Sequence, residues 1–422
     1  MSLSPSFVVI SGGSACNSMV DLLQSIAEDV TYVLGVSDNG GSTSEILRVL
    51  GGPGIGDIRS RLVRLINAEE DKEKKAIREL LSYRLPAEGD NVVIRDEWLE
   101  IIEGTHRLWR GISSEKRAVI RGFLVHMQSE VFRRAHKKFD FHNGSVGNFF
   151  LTGARLFFQS LEGAIVLFTA IAGITEQTRV IPAINTNHSV AIAAELENGN
   201  VILGQCEISH PSITTTTTDV NEMPESPVAF SPILPILVGS NLNFNKIDTE
   251  HLARRIHRIY YINEYGQEIY PSPNAKVLTS LKEKLTLIYT IGSLYTSIMP
   301  CLILRDVGKA IVNSISLKRK ILILNGYNDR ETTGFSAVDF IKAIVRGCNY
   351  SLRLSGVHAT DYPDYRYVTH LVYLDNSQIP VDTVKIEKLG IECIATRGII
   401  NNDGRAVYDE HALGGLLNKL VT

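Results

Sequence analysis

The feature that most constrains this chain is a repeated junction: a short apolar run, a glycine-rich turn, then a helical pattern. Phe7-Val8-Val9-Ile10 is a continuous apolar run, as expected of a strand buried on both faces of a parallel sheet. Ser11-Gly12-Gly13-Ser14 punctuates it, and from Asn17 the spacing Met19, Leu22, Leu23, Ile26 is helical. Thr31–Val36 predicts the next strand, and two parallel strands joined by a helix form a right-handed crossover. Asn39-Gly40-Gly41-Ser42-Thr43 and Gly51-Gly52-Pro53-Gly54-Ile55-Gly56 follow in quick succession. The second ends at Asp57, a suitable N-cap for a helix carrying Ile58, Leu62, Leu65 and Ile66.

The same rhythm continues further on. His142-Asn143-Gly144-Ser145-Val146-Gly147-Asn148 precedes a helix running to about Leu161, and Glu162–Ile174 reads as a second, apolar helix. Ser189–Leu196 and Val201–Cys206, joined through Asn198-Gly199, read as a β-hairpin. A helix near Ala275–Lys284 leads to a strand at Leu285–Tyr289, the turn Thr290-Ile291-Gly292-Ser293 and a helix or loop through Ser297. Strands at Ile321–Leu324, Tyr367–Leu374 and Ile391–Ala395, and a helix from about Ser336 to Val345, complete the count. Thr214–Thr218 and the prolines up to Pro235 read as a loop. Residues 69–79 predict a charged surface helix, and 84–141, with both tryptophans and many charges, a helical insertion. The expected architecture is one α/β domain over 1–422: a Rossmann-like, doubly wound, mostly parallel sheet with helices on both faces.

Composition narrows the partners. A net charge of −3 over 422 residues gives no electrostatic footprint for nucleic acid or an anionic membrane. The basic run Arg133–Lys138 reads as a solvated helix end, with phosphate contact the alternative. Five scattered cysteines without a CxxC pair predict neither a disulfide framework nor a zinc knuckle. No basic leader precedes the first strand, and the apolar stretch Leu161–Ile174 is shorter than the roughly 20 residues that span a bilayer. The expectation is a cytoplasmic protein, with segment 161–174 serving a core or a homodimer interface.

Strand-to-helix turns rich in glycine leave N–H groups exposed at the positive end of a helix, where a phosphate can approach. Four qualify: Gly12-Gly13-Ser14, Gly40-Gly41-Ser42, Gly144–Asn148 (with Ser145) and Gly292-Ser293. In an open parallel sheet such turns gather at one edge. Neither GxGxxG nor GxxxxGK[ST] occurs, which argues against a standard nicotinamide dinucleotide site or a P-loop. Asp38, after its strand, and Asp57 are candidates to hold one Mg²⁺ bridging diphosphate oxygens. Arg59 suits a phosphate fork, with a surface ion pair the alternative; His142 is an acid–base or structural histidine.

The stretches VVISGG, SDNGGST, GIGDIRSRL, HNGSVGNF, IPAINTNHSVAIAAELENGNVILGQCEI, IGSLYTSIMP and ILILNG, in this order, resemble the CofD/YvcK family. That resemblance implies a Rossmann-like core and a nucleotide diphosphate pocket lined by Gly12, Gly13, Asn39, Gly40, Gly41, Ser42, Asn148, Ser293 and Thr296. It makes Asp38 and Asp57 the expected metal ligands. The CofD-type members move a phospholactyl group from a guanosine diphosphate-linked donor, whereas the YvcK-type members bind nucleotide sugars and act on carbon metabolism. Asp38-Asn39 here stands where the transferases pair two acidic residues. Two functions follow as expectations: a Mg²⁺-assisted transferase, or a non-catalytic nucleotide-sugar sensor.

Overall fold

The computed structural model describes residues 4–134, 137–209, 252–356 and 361–421. The first junction forms as the residue pattern predicts. Strand β1 (Ser6–Ile10) buries Phe7 to Ile10 at 0–1% exposure because it lies in the middle of a sheet, with neighbours on both edges and helices over it. It pairs in parallel with β2 (Asp29–Leu34) on one side and with the strand Thr286–Tyr289 on the other, Phe7 opposite both Val30 and Thr286. A 3₁₀ turn at Ala15–Met19 and helix α1 (Val20–Ile26) make the crossover.

Numbering strands along the chain gives β3 (Thr178–Pro182), β4 (Ala191–Leu196), β5 (Val201–Leu203), β6 (Ile256–Ile262), β7 (Glu268–Ile269), β8 (Thr286–Tyr289), β9 (Arg319–Ile323), β10 (His370–Leu374) and β11 (Glu392–Thr396). The main sheet has seven strands in the order β11-β10-β9-β8-β1-β2-β3, and every pair in it is parallel. The chain winds outward from β1 to β3, returns to β8 on the other side of β1, and winds outward again to β11. The order therefore reverses between β1 and β8, and the loops leaving those two strands diverge to open a crevice.

Helices α2 (Gly41–Leu50), α3 (Gly56–Arg64), α4 (Lys72–Ser82), α5 (Asn91–Glu103), α6 (Ser114–Arg133), α7 (Val146–Phe158) and α8 (Leu161–Ala172) lie between β2 and β3 in sequence. The expected helical segment 84–141 contains α5 and α6, and it joins the same core. Trp98 and Trp109 are at most 2% exposed; Trp98 meets Phe149 of α7 edge-on, with ring centroids 4.9 Å apart, and donates to Gln128 at 2.6 Å. α8 buries Leu161, Ala164, Ile165, Phe168 and Ile171, so most of that apolar segment is spent on the core.

Several elements differ from expectation. The hairpin forms as β4 and β5 around left-handed Gly199, but it belongs to a separate antiparallel sheet, β5-β4-β6-β7, whose other two strands lack a clean alternating pattern. The helix predicted from Ser336 to Val345 runs Ala337–Leu354, because Ser336 and Asp339 form a reciprocal cap and nothing breaks it before Ser355. A helix at Glu410–Val421 packs on α1 without having been anticipated. Thr214–Thr218 and the prolines up to Pro235 lie outside the described residues, as do Ala135 and His136. The described ends of that basic run are structural: Arg133 pairs with Glu130, and Lys137 donates to the Arg48 carbonyl at 2.6 Å. No helix among the described residues is long and apolar enough to cross a membrane.

Candidate functional site

The crevice between β1 and β8 is built by loops that touch. A Cβ on Gly12 would lie 2.6 Å from Ser297 Oγ, in the short helix Leu294–Ile298 that follows β8. A Cβ on Gly13 would lie 2.2 Å from Asp57 Oδ1, and one on Gly56 2.6 Å from Asp38 Oδ2. Glycine at these positions is what allows three loops and two carboxylates to share one space.

Asp38 follows β2 and Asp57 is the second residue of α3. The expectation that Asp57 caps α3 is corrected. The cap position is Ile55, with no side-chain bond, and the Asp57 carboxylate instead accepts from the Gly13 N–H across the crevice. Both carboxylates are walled by protein yet keep partial exposure to the cleft. Burial holds Asp38 above the usual carboxylate range, against the pull of the Gly40 N–H and of Arg59 and Arg84. Asp57 is pushed up to about 7, by burial first and by the negative charge of Asp38 second. A pair of carboxylates raised this way is an electrostatic deficit that a cation relieves.

Among the described residues no three His, Cys, Asp or Glu side chains converge as a metal-ligand group. Two carboxylates alone suit a hard cation that keeps water or ligand oxygens for its other positions, as Mg²⁺ does. They do not suit a closed structural zinc site.

Beside the carboxylates stands a cationic, hydrogen-bonded wall. Arg59 Nε donates to Asn148 Oδ1 at 3.2 Å, and Asn148 Nδ2 donates to Ser42 Oγ at 2.8 Å. Ser145 caps α7, accepting from the Asn148 N–H, and both residues are fully buried. Asn39, almost buried, accepts from the Cys206 N–H at 3.1 Å. The first turn of α2 begins at Gly40 with no side-chain cap, and Gly41 (φ +51°) leaves it open on the cleft side. Ser14 is exposed at the lip.

Gly292, Ser293 and Thr296 come to the same edge, but much of their polarity is already used. Asn325 both accepts from the Gly292 N–H and donates to its carbonyl, at 3.0 and 2.8 Å. Glu331 accepts from the Tyr295 and Thr296 N–H groups at 2.8 and 3.2 Å and from the Thr296 hydroxyl at 2.5 Å. Thr296 is left 3% exposed, so its role is to fix Glu331. Glu331 itself is pushed up to about 7, by burial and then by Asp329. His142 bonds Asp140 at 2.5 Å and the Gly89 carbonyl at 3.2 Å, which is the structural alternative.

Sequence reasoning missed the residues that hold this site in place. Arg61, fully buried, donates to the Gly12 carbonyl at 3.0 Å and to Ser11 Oγ at 3.3 Å, and its guanidinium lies 4.8 Å from the Tyr32 ring centre. Arg155 braces the second glycine loop through the Gly51 carbonyl at 2.8 Å. Gln205 accepts from Ser37 and reaches Asp38 at 3.5 Å. The i, i+2 and i+4 positions of GDIRSR did signal a polar helix start, but which arginine faces the cleft depends on packing. Burial raises Cys206 and Cys301 to about 12, so neither thiol is a ready nucleophile. Surface cavities of about 550 and 610 Å³ open elsewhere, beside Lys282 and Lys309 and beside Arg346 and Tyr362; neither is walled by glycine loops.

A seven-stranded parallel sheet with loops, carboxylates and a guanidinium gathered at its switch point defines a Rossmann-like, doubly wound α/β protein. Within that class the chain belongs to the CofD family, whose model, described as 2-phospho-L-lactate transferase CofD, matches residues 7–399. It is 39% identical over 426 residues to an uncharacterized protein of Saccharomyces cerevisiae, spanning 92% of this chain and 94% of that one. It is 21% identical over 425 residues to the gluconeogenesis factor of Bacillus subtilis, spanning 100% and 99%. A solved structure from Bacillus halodurans, of a UPF0052 family member, shares the fold at TM-score 0.63 and 17% identity, covering 99% of both chains.

Proposed function

We propose that this chain is a CofD-like transferase: it binds a nucleoside diphosphate-linked donor in the crevice and passes a phosphate-linked group to an acceptor. The observation that carries the reading is the convergence of Asp38, Asp57 and Arg59 where two helices begin without side-chain caps. A Mg²⁺ held by Asp38 and Asp57 would neutralise charge growing on the diphosphate oxygens. Arg59, fixed through its Nε, turns its two terminal nitrogens to an anion as a fork. The first-turn N–H groups of α2 add oriented dipoles that need no reorganisation during reaction. The acceptor oxygen attacks directly, without a covalent enzyme intermediate. It bonds to the distal phosphorus while the bond to the bridging oxygen breaks, and a nucleoside monophosphate leaves. The donor class is guanosine diphosphate-linked or a uridine diphosphate sugar, read from the family resemblance.

The full-length similarity to the gluconeogenesis factor of Bacillus subtilis favours a second reading, a nucleotide-sugar sensor without turnover. Asp57→Asn separates the two. The transferase reading expects turnover to fall by at least about a hundredfold, the scale of losing one preorganised electrostatic group, in an assay of nucleoside monophosphate release. Wild-type turnover in that variant sinks it. Mg²⁺-independent stabilisation by a uridine diphosphate sugar, equal in wild type and variant and without product, establishes the sensor instead.

A further inference from the structure

We propose that Arg84, at the neck of the helical segment, completes with Arg59 a two-guanidinium cradle for the oxyanions of a diphosphate. This rests on the reading of the crevice as a diphosphate site and adds to it a residue from outside the glycine motifs.

The neck is the place where the segment carrying α5 and α6 leaves and rejoins the main body. Its two strands of backbone are pinned together there. Val146 N–H donates to the Tyr83 carbonyl at 3.1 Å, Leu85 N–H to the Gly144 carbonyl at 2.9 Å, and Asn143 N–H to the Pro86 carbonyl at 2.9 Å. Arg84 bridges antiparallel to Ser145, the cap of α7. Arg84 thus sits on rigid backbone one step from the loop that places Asn148.

Its side chain reaches the cleft wall. Arg84 Nη1 donates to Ser42 Oγ at 3.3 Å and to the Asn143 carbonyl at 3.1 Å. Ser42 Oγ also receives Asn148 Nδ2, and Asn148 Oδ1 receives Arg59 Nε. Two guanidiniums are therefore tied to the two ends of one short chain, Arg84–Ser42–Asn148–Arg59. Every acceptor in that chain is neutral. Among the described residues neither arginine has a carboxylate within ion-pair distance, and the terminal nitrogens of Arg59 have no protein acceptor.

Two guanidiniums tied to one chain of neutral groups offer an anion two positive partners. Arg59 is half-buried in the wall and Arg84 is exposed beside it, so the nitrogens not spent on Asn148, Ser42 and Asn143 stay open to a ligand. Asp38 and Asp57 are near enough to attract Arg59, and Asp38 to attract Arg84, yet those two charges are the ones a divalent cation would neutralise. With the carboxylates so occupied, two positive charges remain for the ligand. Planar forks match phosphoryl oxygens in pairs, and two forks match two phosphoryl groups.

The test is calorimetric titration of the full chain with inorganic pyrophosphate, with and without Mg²⁺. The variants are Arg84→Gln, Arg84→Lys and, as a surface control, Arg95→Gln. Arg84→Gln should weaken pyrophosphate binding by about tenfold or more, the scale of a lost charge-assisted fork, in both conditions. Arg84→Lys keeps the charge but loses the fork, so it should fall between. The control should bind as wild type, and the thermal midpoint of Arg84→Gln should stay near that of wild type because Ser42 keeps Asn148. Equal pyrophosphate binding by Arg84→Gln and wild type overturns the cradle. So does a wild type that binds no pyrophosphate, although Mg²⁺-dependent binding of a nucleoside diphosphate by the same sample would leave the donor site standing. Pyrophosphate binding that needs Arg84, without any nucleoside diphosphate binding, keeps the cradle and removes the donor reading.

Discussion

The helices of this protein begin in two ways. Around the helical segment four starts are closed locally: Asp71 caps α4, Asp90 caps α5, Ser145 caps α7 and Ser160 caps α8, each accepting from N–H groups of its own first turn, while α6 starts at Ser113 without a side-chain bond. At the crevice they are open: α2 starts at Gly40 and α3 at Ile55, with no side-chain bond at either. A capped start is finished by its own sequence and asks nothing of a ligand. An open start, backed by glycine and flanked by Asp38 and Asp57, leaves donors for something that is not part of the chain. The same contrast holds for arginine. Arg61 and Arg155 spend their donors on loop carbonyls, whereas Arg59 and Arg84 are held by neutral groups with nitrogens to spare.

The contrast can be broken from either side. The largest stability effect belongs to the closed region: Trp98→Ala should cost about 3–5 kcal/mol, because the ring is fully buried among Phe141, Phe149 and Gln128. Urea denaturation measures it, and a loss below 1 kcal/mol would mean the helical segment does not share the core.

The open region should instead show itself in pH. Folded Asp57 keeps its proton up to about 7, while an unfolded aspartate loses it near 4. Between those values the folded chain binds more protons, so stability is highest at the acid end and falls as pH rises through the window. Glu331, also raised to about 7, adds a slope of the same sign. Asp38 and Asp329, raised by burial as well, add to it, so Asp57→Asn and Glu331→Gln should each flatten part of that slope; a metal-free stability that rises with pH over this range contradicts the burial of these groups.

Smaller effects sharpen the comparison. Ser160→Ala should destabilise by about 1 kcal/mol, the usual value of a lost cap, in the same denaturation experiment. Gly40→Ser should change stability by only a few tenths of a kcal/mol, since the backbone there is already extended at φ −92° and ψ 163°. Its hydroxyl would compete for the N–H groups of α2, so the expected signature is weaker pyrophosphate binding at nearly unchanged stability. Unchanged binding would show that those N–H groups face no ligand.

Much of this was legible in the residues. The β1 run, the turn after it and the GIGDIR start declare themselves through local chemistry, because apolar continuity, absent side chains and helical spacing act within a few residues. Gly12, Gly13, Asp38, Asp57, Arg59 and Asn148 were found that way, and all of them reach one crevice. Asp57 was misread as a cap for an instructive reason: an aspartate before an amphipathic helix is ordinarily satisfied locally, and only the approach of Gly13 gives it another partner. Thr296 was read as part of the pocket, but Glu331, 35 residues on, claims it first.

What the sequence by itself determined is the alternation of buried strands with open turns, and so a parallel sheet with a polar edge. What only the tertiary structure decided is who stands opposite whom. β8 pairs with β1 across more than 270 residues, Arg84 meets Ser42 from the far end of another helix, and a hairpin leaves the main sheet for one of its own. Periodicity reports what a segment must bury, since burial depends on its own side chains. Partnership depends on chain closure over long loops, and no local pattern records it.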